Sequence, residues 1–549
     1  MNPNDWFVYR PVLEVHSPTP LVAHAEAEAL VAGPERLQAL LERFLRRLPA
    51  ERLADIAVWI VDEAPKPLRL GTMCSGTDGP ILCWQALNAA LDAVLSTRLV
   101  VEHTFSCEHS EGKKKFLRDM WSPSMKALFT RCEELVGEMA VNVVDPGHSF
   151  SQRVPTVNHL AAGFPCQDAS TENAATNSPA NRRCMVDGTL RTGSVLHDVV
   201  RYVQNHVVSS AEPFFLVLEN VRALNHLPRS RSGNAQSGPS HAWVVTEILR
   251  RSLGMITVVF SLDPRMFGSP QVRGRLYFLS IPAQESKSDE ECRQEVIATM
   301  DLLCGMMITP VDGYLYDETD PAVTNYYDSL LSHASSGSAS AGKRLRSFDW
   351  PVVHMQRFRE AGLEWCRCTG PDVETLRLFP GLLDLQPREQ DILHLHGIGF
   401  ALETATRTIE LKSIVDRGEI PRFGAESVTT VRPGMRKFIT SRCRLVRGVE
   451  ALRLQEIWFP AIVAPLLAEM PDRLLCDLAG NAFDLNCYAA NIVVGIVALS
   501  SGAVRRRRDR RFAVDEEVSE ASSGFESDSL WPNEAGLSDS VWEEHLWPP

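Results

Sequence analysis

What the chain lacks narrows what it can be. No apolar run is expected to reach the ~20 residues of a membrane-spanning helix, and Met1-Asn2-Pro3-Asn4-Asp5 lacks the basic and apolar regions of a signal peptide. Both absences predict a soluble intracellular protein with no membrane partner. The 13 cysteines are odd in number and show no paired Cys-x-x-Cys spacing; Cys366 and Cys368 are the closest two. Neither a disulfide framework nor a metal site is expected. No zinc-finger, bromo-adjacent or chromodomain-like module is recognisable ahead of residue 66. Residues 512–549 hold ten acids and no Lys or Arg, while residues 1–65 hold ten acids and six bases. With the formal charge at −13, about +1 is left for residues 66–511, so the acidic total does not exclude a polyanionic partner.

What is present reads as an α/β chain with appendages. Leu37, Leu41, Phe44, Leu45 and Leu48 recur at helical spacing in residues 1–65, predicting a helical extension with Pro34 near its start. A strand-turn-helix follows: Leu68–Met73, a small-residue turn Cys74–Gly79, and a helix from Pro80. Such a turn lets a ligand approach the backbone and a helix N-terminus, although an ordinary βα turn reads the same way. The next strand, Val100–Cys107, ends in Glu108-His109, where an acid suits ribose hydroxyls. A helix near 124–138 and a third strand, Val141–Val144 ending at Asp145, are expected next.

The chain is organised around Gly163-Phe164-Pro165-Cys166-Gln167-Asp168, which ends the apolar strand His159–Ala162. A cysteine just past a parallel strand stands at the ligand-binding rim of an open sheet, so Cys166 is the candidate nucleophile. Asp168–Arg191 reads as a loop. The strand Phe214–Leu218 runs into Glu219, and a carboxylate closing five apolar residues points to a site or a salt bridge. Gln271-Val272-Arg273-Gly274-Arg275 puts two arginines two apart on an extended segment, on one side, able to bind phosphate or Glu219. From Pro282 to about Ser441 the βα rhythm lapses, with a low-complexity run from Ser332 to Gly342 and then Trp350, His354, Arg357, Trp365 and Arg367. This reads as a lobe at 282–441 inserted into the sheet domain, after its first part at 66–281 and before its closing part at 442–503. The 504–549 tail opens with a basic run, Arg505–Arg508 and Arg510-Arg511, suited to nucleic acid or a nuclear address. It continues acidic and Ser-rich with Trp531, Trp542 and Trp547, a disordered composition with aromatics to dock a protein.

In this order the motifs resemble the cytosine C5 methyltransferases. Gly163–Gln167 resembles their Pro-Cys loop, Glu219-Asn220-Val221 their Glu-Asn-Val element, Gln271–Arg275 their Gln-x-Arg-x-Arg element, Cys74–Gly79 the cofactor turn, Val449–Pro460 the late helix, and Gly480-Asn481 the terminal element. The resemblance covers about Leu68 to Leu499. It implies a Rossmann-like S-adenosylmethionine-dependent methyltransferase domain with an inserted, smaller target-recognition lobe. It further implies that Cys166 adds to C6 of cytosine, Glu219 serves N3, and Arg275 with Arg273 holds the base. Ser75, Gly76, Thr77, Glu108, His109, Asp145, Asn481 and Phe483 would line the S-adenosylmethionine pocket, with Gln167, Asn220 and Gln271 near the substrate. The implied substrate is cytosine flipped from duplex DNA in the nucleus. Alternatives are tRNA or other RNA as substrate, and a catalytically silent nucleic-acid-binding scaffold. The chain departs from the pattern at Cys74 (usually aromatic), Asp78 (usually Gly), Asp168-Ala169-Ser170 (commonly Pro-Phe-Ser) and Val449 (usually Arg).

Overall fold

The computed structural model describes residues 8–10, 30–169, 178–210, 212–226, 239–284, 287–335 and 428–501, with short stretches between 355 and 411. Eight strands form one sheet: β1 (Val8–Tyr9), β2 (Leu68–Met73), β3 (Val101–Cys107), β4 (Leu128–Phe129), β5 (His159–Ala162), β6 (Phe215–Val221), β7 (Met255–Leu262) and β8 (Arg275–Pro282). Their order is β1-β7-β8-β6-β5-β2-β3-β4. Neighbours are parallel except at β8, which runs antiparallel to both β6 and β7. The short connection 263–274 carries no crossover helix, and a short connection returns a strand antiparallel. Every residue of β7 is buried, as is the apolar run of β6, because helices cover both faces of the sheet. The strand order reverses between β2 and β5, and the crevice outside the carboxyl ends there is where doubly wound sheets bind ligands. The fold is therefore the α/β, Rossmann-like one the motifs imply.

The helices introduced in chain order are α1 (Arg36–Arg47), α2 (Ala50–Asp62), α3 (Gly79–Leu95), α4 (Glu111–Trp121), α5 (Pro179–Asp187), α6 (Leu190–Tyr202), α7 (His241–Leu253) and α8 (Asp289–Leu303). They are followed by α9 (Gly448–Arg453), α10 (Asp472–Asn481) and α11 (485–501). The stretch Asp472–Ser501 is long and apolar enough by composition to cross a membrane, contrary to the sequence expectation. Its apolar window is wholly buried within the protein, which is the signature of a core helix. α1 buries Leu37, Leu40, Leu41, Phe44 and Leu45 against the main core and contacts α3 and α8. The N-terminal helices are thus part of the main sheet domain's core.

Three sequence expectations change. The stretch 124–138, expected to be helical, holds β4 and a 3-10 turn at Cys132–Val136, and the α-helix lies earlier, at Glu111–Trp121. The third sheet strand is Leu128–Phe129; Met139–Asn142 instead pairs with Phe150–Arg153 in a separate hairpin. Met139 and Val141 are exposed while Ala140 and Asn142 are buried, an alternation that fits a one-sided hairpin better than an interior strand. The lobe boundary also moves. α8 packs on β7, and Cys292, Val296, Met300 and Leu303 join the main core, so the sheet domain continues past 282. Beyond it, a three-stranded sheet of Thr408–Glu410, Lys437–Ile439 and Arg444–Leu445 shares a small core with Leu382, Leu385 and Leu393. The Trp, His and Arg residues noted at 350–367, the pair Cys366 and Cys368, most of the low-complexity run and the 504–549 tail lie outside the described residues.

Candidate active site

The candidate residues gather where the topology predicts. β5 stops at Gly163, and the turn that follows carries Cys166, with the Ala169 amide donating to the Cys166 carbonyl at 3.1 Å. A Cβ placed on Gly163 would lie 3.6 Å from the Phe483 ring and 3.8 Å from Glu219 Oε2, so loop, ring and carboxylate meet at one point. Glu219 is paired to Tyr277 across β8 and Val221 to Arg275, which sets Arg275 diagonally opposite the carboxylate. The Arg275 Nε donates to Glu219 Oε1 at 3.0 Å, with the two side chains only 16% and 13% exposed. Asn220 holds loop and strand together: its Nδ2 donates to the Phe164 carbonyl at 3.0 Å, and its Oδ1 accepts from the Val221 amide at 2.8 Å.

Burial pushes the Cys166 thiol up, the Glu219 carboxylate pushes it further, and Arg275 opposes both. Cys166 is therefore a neutral thiol near pH 7. Its alkylation by iodoacetamide should be slow there and speed up as pH rises through 9 and beyond, since only the thiolate reacts. Peptide mass spectrometry of Cys166 over a pH series measures this, and a plateau below pH 8 would contradict it.

The Cys166 loop is anchored by residues the sequence did not flag. Asp168 Oδ2 accepts from both the amide and the hydroxyl of Thr192 at 2.8 Å, and the Asp168 carbonyl accepts from Asn181 Nδ2 at 2.7 Å. The unusual Asp at 168 thus takes up the first turn of α6. The segment read as a loop contains α5, begun by Ser178 as N-cap and Pro179 at the first position. That Ser-Pro pair was the available signal.

The second cluster lies at the carboxyl ends of β2 and β3. Gly76 is left-handed (φ 58°), and its amide donates to Glu108 Oε2 at 3.2 Å. Glu108 Oε1 accepts from the Ser110 amide at 2.9 Å and lies 3.1 Å from His109 Nδ1. The Ser75 hydroxyl donates to the Thr72 carbonyl at 3.1 Å and accepts from the Cys107 amide at 3.0 Å, while Thr77 Oγ1 accepts from the Gly79 amide at 3.2 Å. Asp78, fully buried and left-handed (φ 53°), accepts from the Thr72 and Ser106 hydroxyls at 2.6 and 2.5 Å. It is a hub under the turn, which explains how Asp replaces Gly there. A turn of small residues with a left-handed Gly and a carboxylate just past the second strand suit a nucleoside with a free ribose diol.

Four expected residues stand elsewhere. Arg273 does not join Arg275: residues 273–274 are outside any strand, so strand alternation does not apply to them. Its buried guanidinium donates to the carbonyls of Val431, Gly480 and Ala482, and burial lowers its pKa to about 10. Gln271 is fully buried, donating to the Leu454 carbonyl and accepting from Gln455 Nε2 at 2.8 Å. Both brace the closing segment against the sheet. Asp145 sits in the hairpin turn, 59% exposed, accepting from the Gly147 amide, so no strand carries it to the rim. Asn481 is exposed and donates to the Asp477 carbonyl of its own helix.

Gly480 has a clear steric reason. A Cβ there would fall 2.1 Å from Pro433 N and 2.3 Å from the Arg432 carbonyl carbon, both backbone. Gly480→Ala should force 432–433 away from α10, disturb the Arg273 anchor, and destabilise by about 1–3 kcal/mol. Thermal denaturation measures this; an unchanged midpoint would refute it.

Residues 141–334 match the family model described as C-5 cytosine-specific DNA methylase. Over 478 residues the chain is 24% identical to "DNA (cytosine-5-)-methyltransferase DMT5" of Cryptococcus neoformans var. grubii, covering 84% of this chain and 18% of that protein. The chain therefore spans less than a fifth of that relative's length. Among solved structures, the S. pombe Dnmt2 methyltransferase aligns over 78% of this chain and 98% of its own at 12% identity, with a TM-score of 0.36. A putative DNA modification methyltransferase encoded within a prophage (E. coli) aligns over 80% and 99% at 14% identity, with a TM-score of 0.37.

Proposed function

We propose that the chain is a DNA (cytosine-5) methyltransferase whose nucleophile is Cys166, a reading supported by the match of residues 141–334 to the C-5 cytosine-specific DNA methylase model. The observation that carries the reading is the convergence of three groups at the carboxyl ends of β5 and β6: the Cys166 loop, Glu219, and Arg275 bonded to it at 3.0 Å.

C5 of cytosine is a poor nucleophile. Addition of the Cys166 sulfur to C6, with Glu219 hydrogen-bonding or protonating N3, moves electron density to C5. Arg275 fixes the carboxylate and presents its remaining N–H groups to the O2 side of the base. Asn220 holds the Phe164 carbonyl, and with it the loop. Family members are S-adenosylmethionine-dependent, and when bound that cofactor supplies the methyl group. Gly76, Ser75, Thr77 and Glu108 would hold its nucleoside and the Phe483 ring would wall the pocket. Loss of the C5 proton then expels the sulfur as thiolate. A base inside a duplex cannot reach this loop, so the target is flipped out. The nuclear address rests on the arginine run at 505–511.

Asn220→Ala should leave a buried carbonyl unpaired, at about 1–3 kcal/mol, and lower kcat more than it raises KM. A rise in KM alone would assign Asn220 to uniform binding.

The test is covalent trapping with S-adenosylmethionine and 5-fluorocytosine in duplex DNA, with matching RNA alongside. Fluorine blocks the final elimination, so a denaturation-resistant DNA adduct dependent on cofactor and Cys166 supports the reading. An RNA-only adduct redirects it to an RNA enzyme. No adduct with either, from folded protein, overturns it in favour of a scaffold.

A further inference from the structure

The two clusters at the rim are joined by a side chain that no motif includes. Arg191 is exposed at the start of α6, and its NH2 lies 2.6 Å from His109 Nε2. An arginine can only donate, so Nε2 must accept. The proton of the ring is then on Nδ1, which faces Glu108 Oε1 at 3.1 Å. On its other side the Arg191 NH1 reaches Gln167 Oε1 at 3.5 Å, one residue past Cys166. The chain Glu108, His109, Arg191, Gln167 thus runs from the carboxylate assigned to the cofactor ribose to the nucleophile loop, with each donor and acceptor fixed by its neighbour.

Two independent features hold Arg191 there. Leu190, just before it, is left-handed (φ 55°), a conformation a branched side chain adopts at a cost of about 1–3 kcal/mol and which clusters at functional sites. Thr192, just after it, is bonded through both amide and hydroxyl to Asp168 of the nucleophile loop. α6 itself is seated so closely on α5 that a Cβ on Gly193 would fall 1.9 Å from the Cys184 carbonyl oxygen.

We propose that Arg191 is a positioning residue that ties the nucleophile loop to the cofactor-binding edge, so that engagement of Glu108 and His109 by a bound nucleoside sets the placement of Cys166. This rests on the methyltransferase reading above. Arg191 touches neither the reacting carbon nor the methyl group; it acts through Gln167 and His109. Its predicted signature is a split: loss of the bridge loosens the loop and lowers kcat with little change in cofactor affinity, because Glu108 and the Gly76 turn remain.

Hydrogen exchange, calorimetry and kinetics on the full chain test this, using wild type, Arg191→Ala and, as a second exposed site at the other end of the bridge, Gln167→Ala. S-adenosylhomocysteine is the probe. Without ligand, the Ala169 amide should exchange several-fold faster in both variants than in wild type. With the probe, wild type should gain protection at 167–169 and Arg191→Ala should not, while its dissociation constant stays within about threefold. The kcat of Arg191→Ala should fall on the order of tenfold or more, as small misplacements of a reacting group do. His109→Ala combined with Arg191→Ala should be no worse than the poorer single variant.

Unchanged loop exchange and kcat in Arg191→Ala would overturn the bridge while leaving the methyltransferase reading intact. So would a raised KM with unchanged kcat, which would make Arg191 a cofactor-binding group. If wild type neither binds the probe nor methylates, the functional reading fails, and the ligand-free exchange comparison still decides whether Arg191 holds the loop.

Discussion

Replacing Cys166 by Ser should abolish the covalent adduct and lower methyl transfer at least ~10³-fold, with S-adenosylhomocysteine affinity unchanged within about threefold. The sulfur sits in the loop beyond β5, whereas the proposed nucleoside contacts belong to β2 and β3. A hydroxyl is a far weaker nucleophile than a thiolate, and the site supplies only modest activation. The Glu219 carboxylate opposes the thiolate and Arg275 favours it, so the free protein stores a neutral thiol. Once Glu219 is engaged by N3 of the base, its charge is shared and the balance at sulfur tips towards thiolate. Glu219→Gln should accordingly slow turnover, by about 10²–10³-fold, while leaving Cys166 easier to alkylate. Opposite movements of turnover and thiol reactivity would be hard to obtain from misfolding. A Cys166→Ser protein that keeps substantial turnover would sink the assignment.

The largest stability effect is expected far from the chemistry, at Arg36. This guanidinium, at the first position of α1, is fully buried with Glu456 at 3.0 Å, and donates to the Gly268 carbonyl at 2.9 Å and the Thr309 hydroxyl at 3.0 Å. Glu456 also accepts from the Tyr314 hydroxyl at 2.6 Å and from Asn486 at 3.3 Å. The network joins α1, the 309–314 segment, the late helix region and α11. Arg36→Met should destabilise by about 3–5 kcal/mol, lowering the midpoint on the order of 10 °C, because it strands a buried carboxylate. Arg36→Met with Glu456→Gln should recover part of the loss. The pH dependence has a definite sign. Burial already raises the Glu456 carboxyl above its ordinary value and Arg36 holds it down, so without Arg36 it rises further. A folded-state pKa above the unfolded one gives stability that is present below the unfolded pKa and lost as pH rises through the folded pKa. The deficit of Arg36→Met should therefore be smaller near pH 4.5 than at pH 8. A deficit independent of pH would mean that the charge of Glu456 is not what the arginine compensates.

The Cys166 loop was legible in the sequence because its motif is written in consecutive residues. Pro165-Cys166, Glu219-Asn220 and the turn at Cys74–Gly79 each follow an apolar run, and a strand followed by a turn fixes where the next side chain must stand, at the carboxyl rim. The α/β architecture was legible for the same reason: hydrophobic period and strand-helix alternation are local properties. Helical spacing in residues 36–48 likewise predicted α1.

Other features required the tertiary structure. Spacing put Arg273 beside Arg275, yet the chain leaves the strand at 273, and the carbonyls of Val431, Gly480 and Ala482 decide where Arg273 points. Val141–Val144 has strand character, but strand character does not choose a partner; Leu128–Phe129 fills the sheet position and leaves Asp145 in a hairpin turn. Arg191, Thr192 and Arg36 carry no motif. Their roles come from contacts 24 residues away at the loop, 82 at His109 and hundreds at Glu456 and Asn486. The sequence by itself determined the chemistry on offer and the rim that presents it, because local pattern sets element type and polarity. Only the tertiary structure decided which charges stand at the rim and which brace the fold, because a guanidinium's partner is chosen by packing between segments distant in the chain.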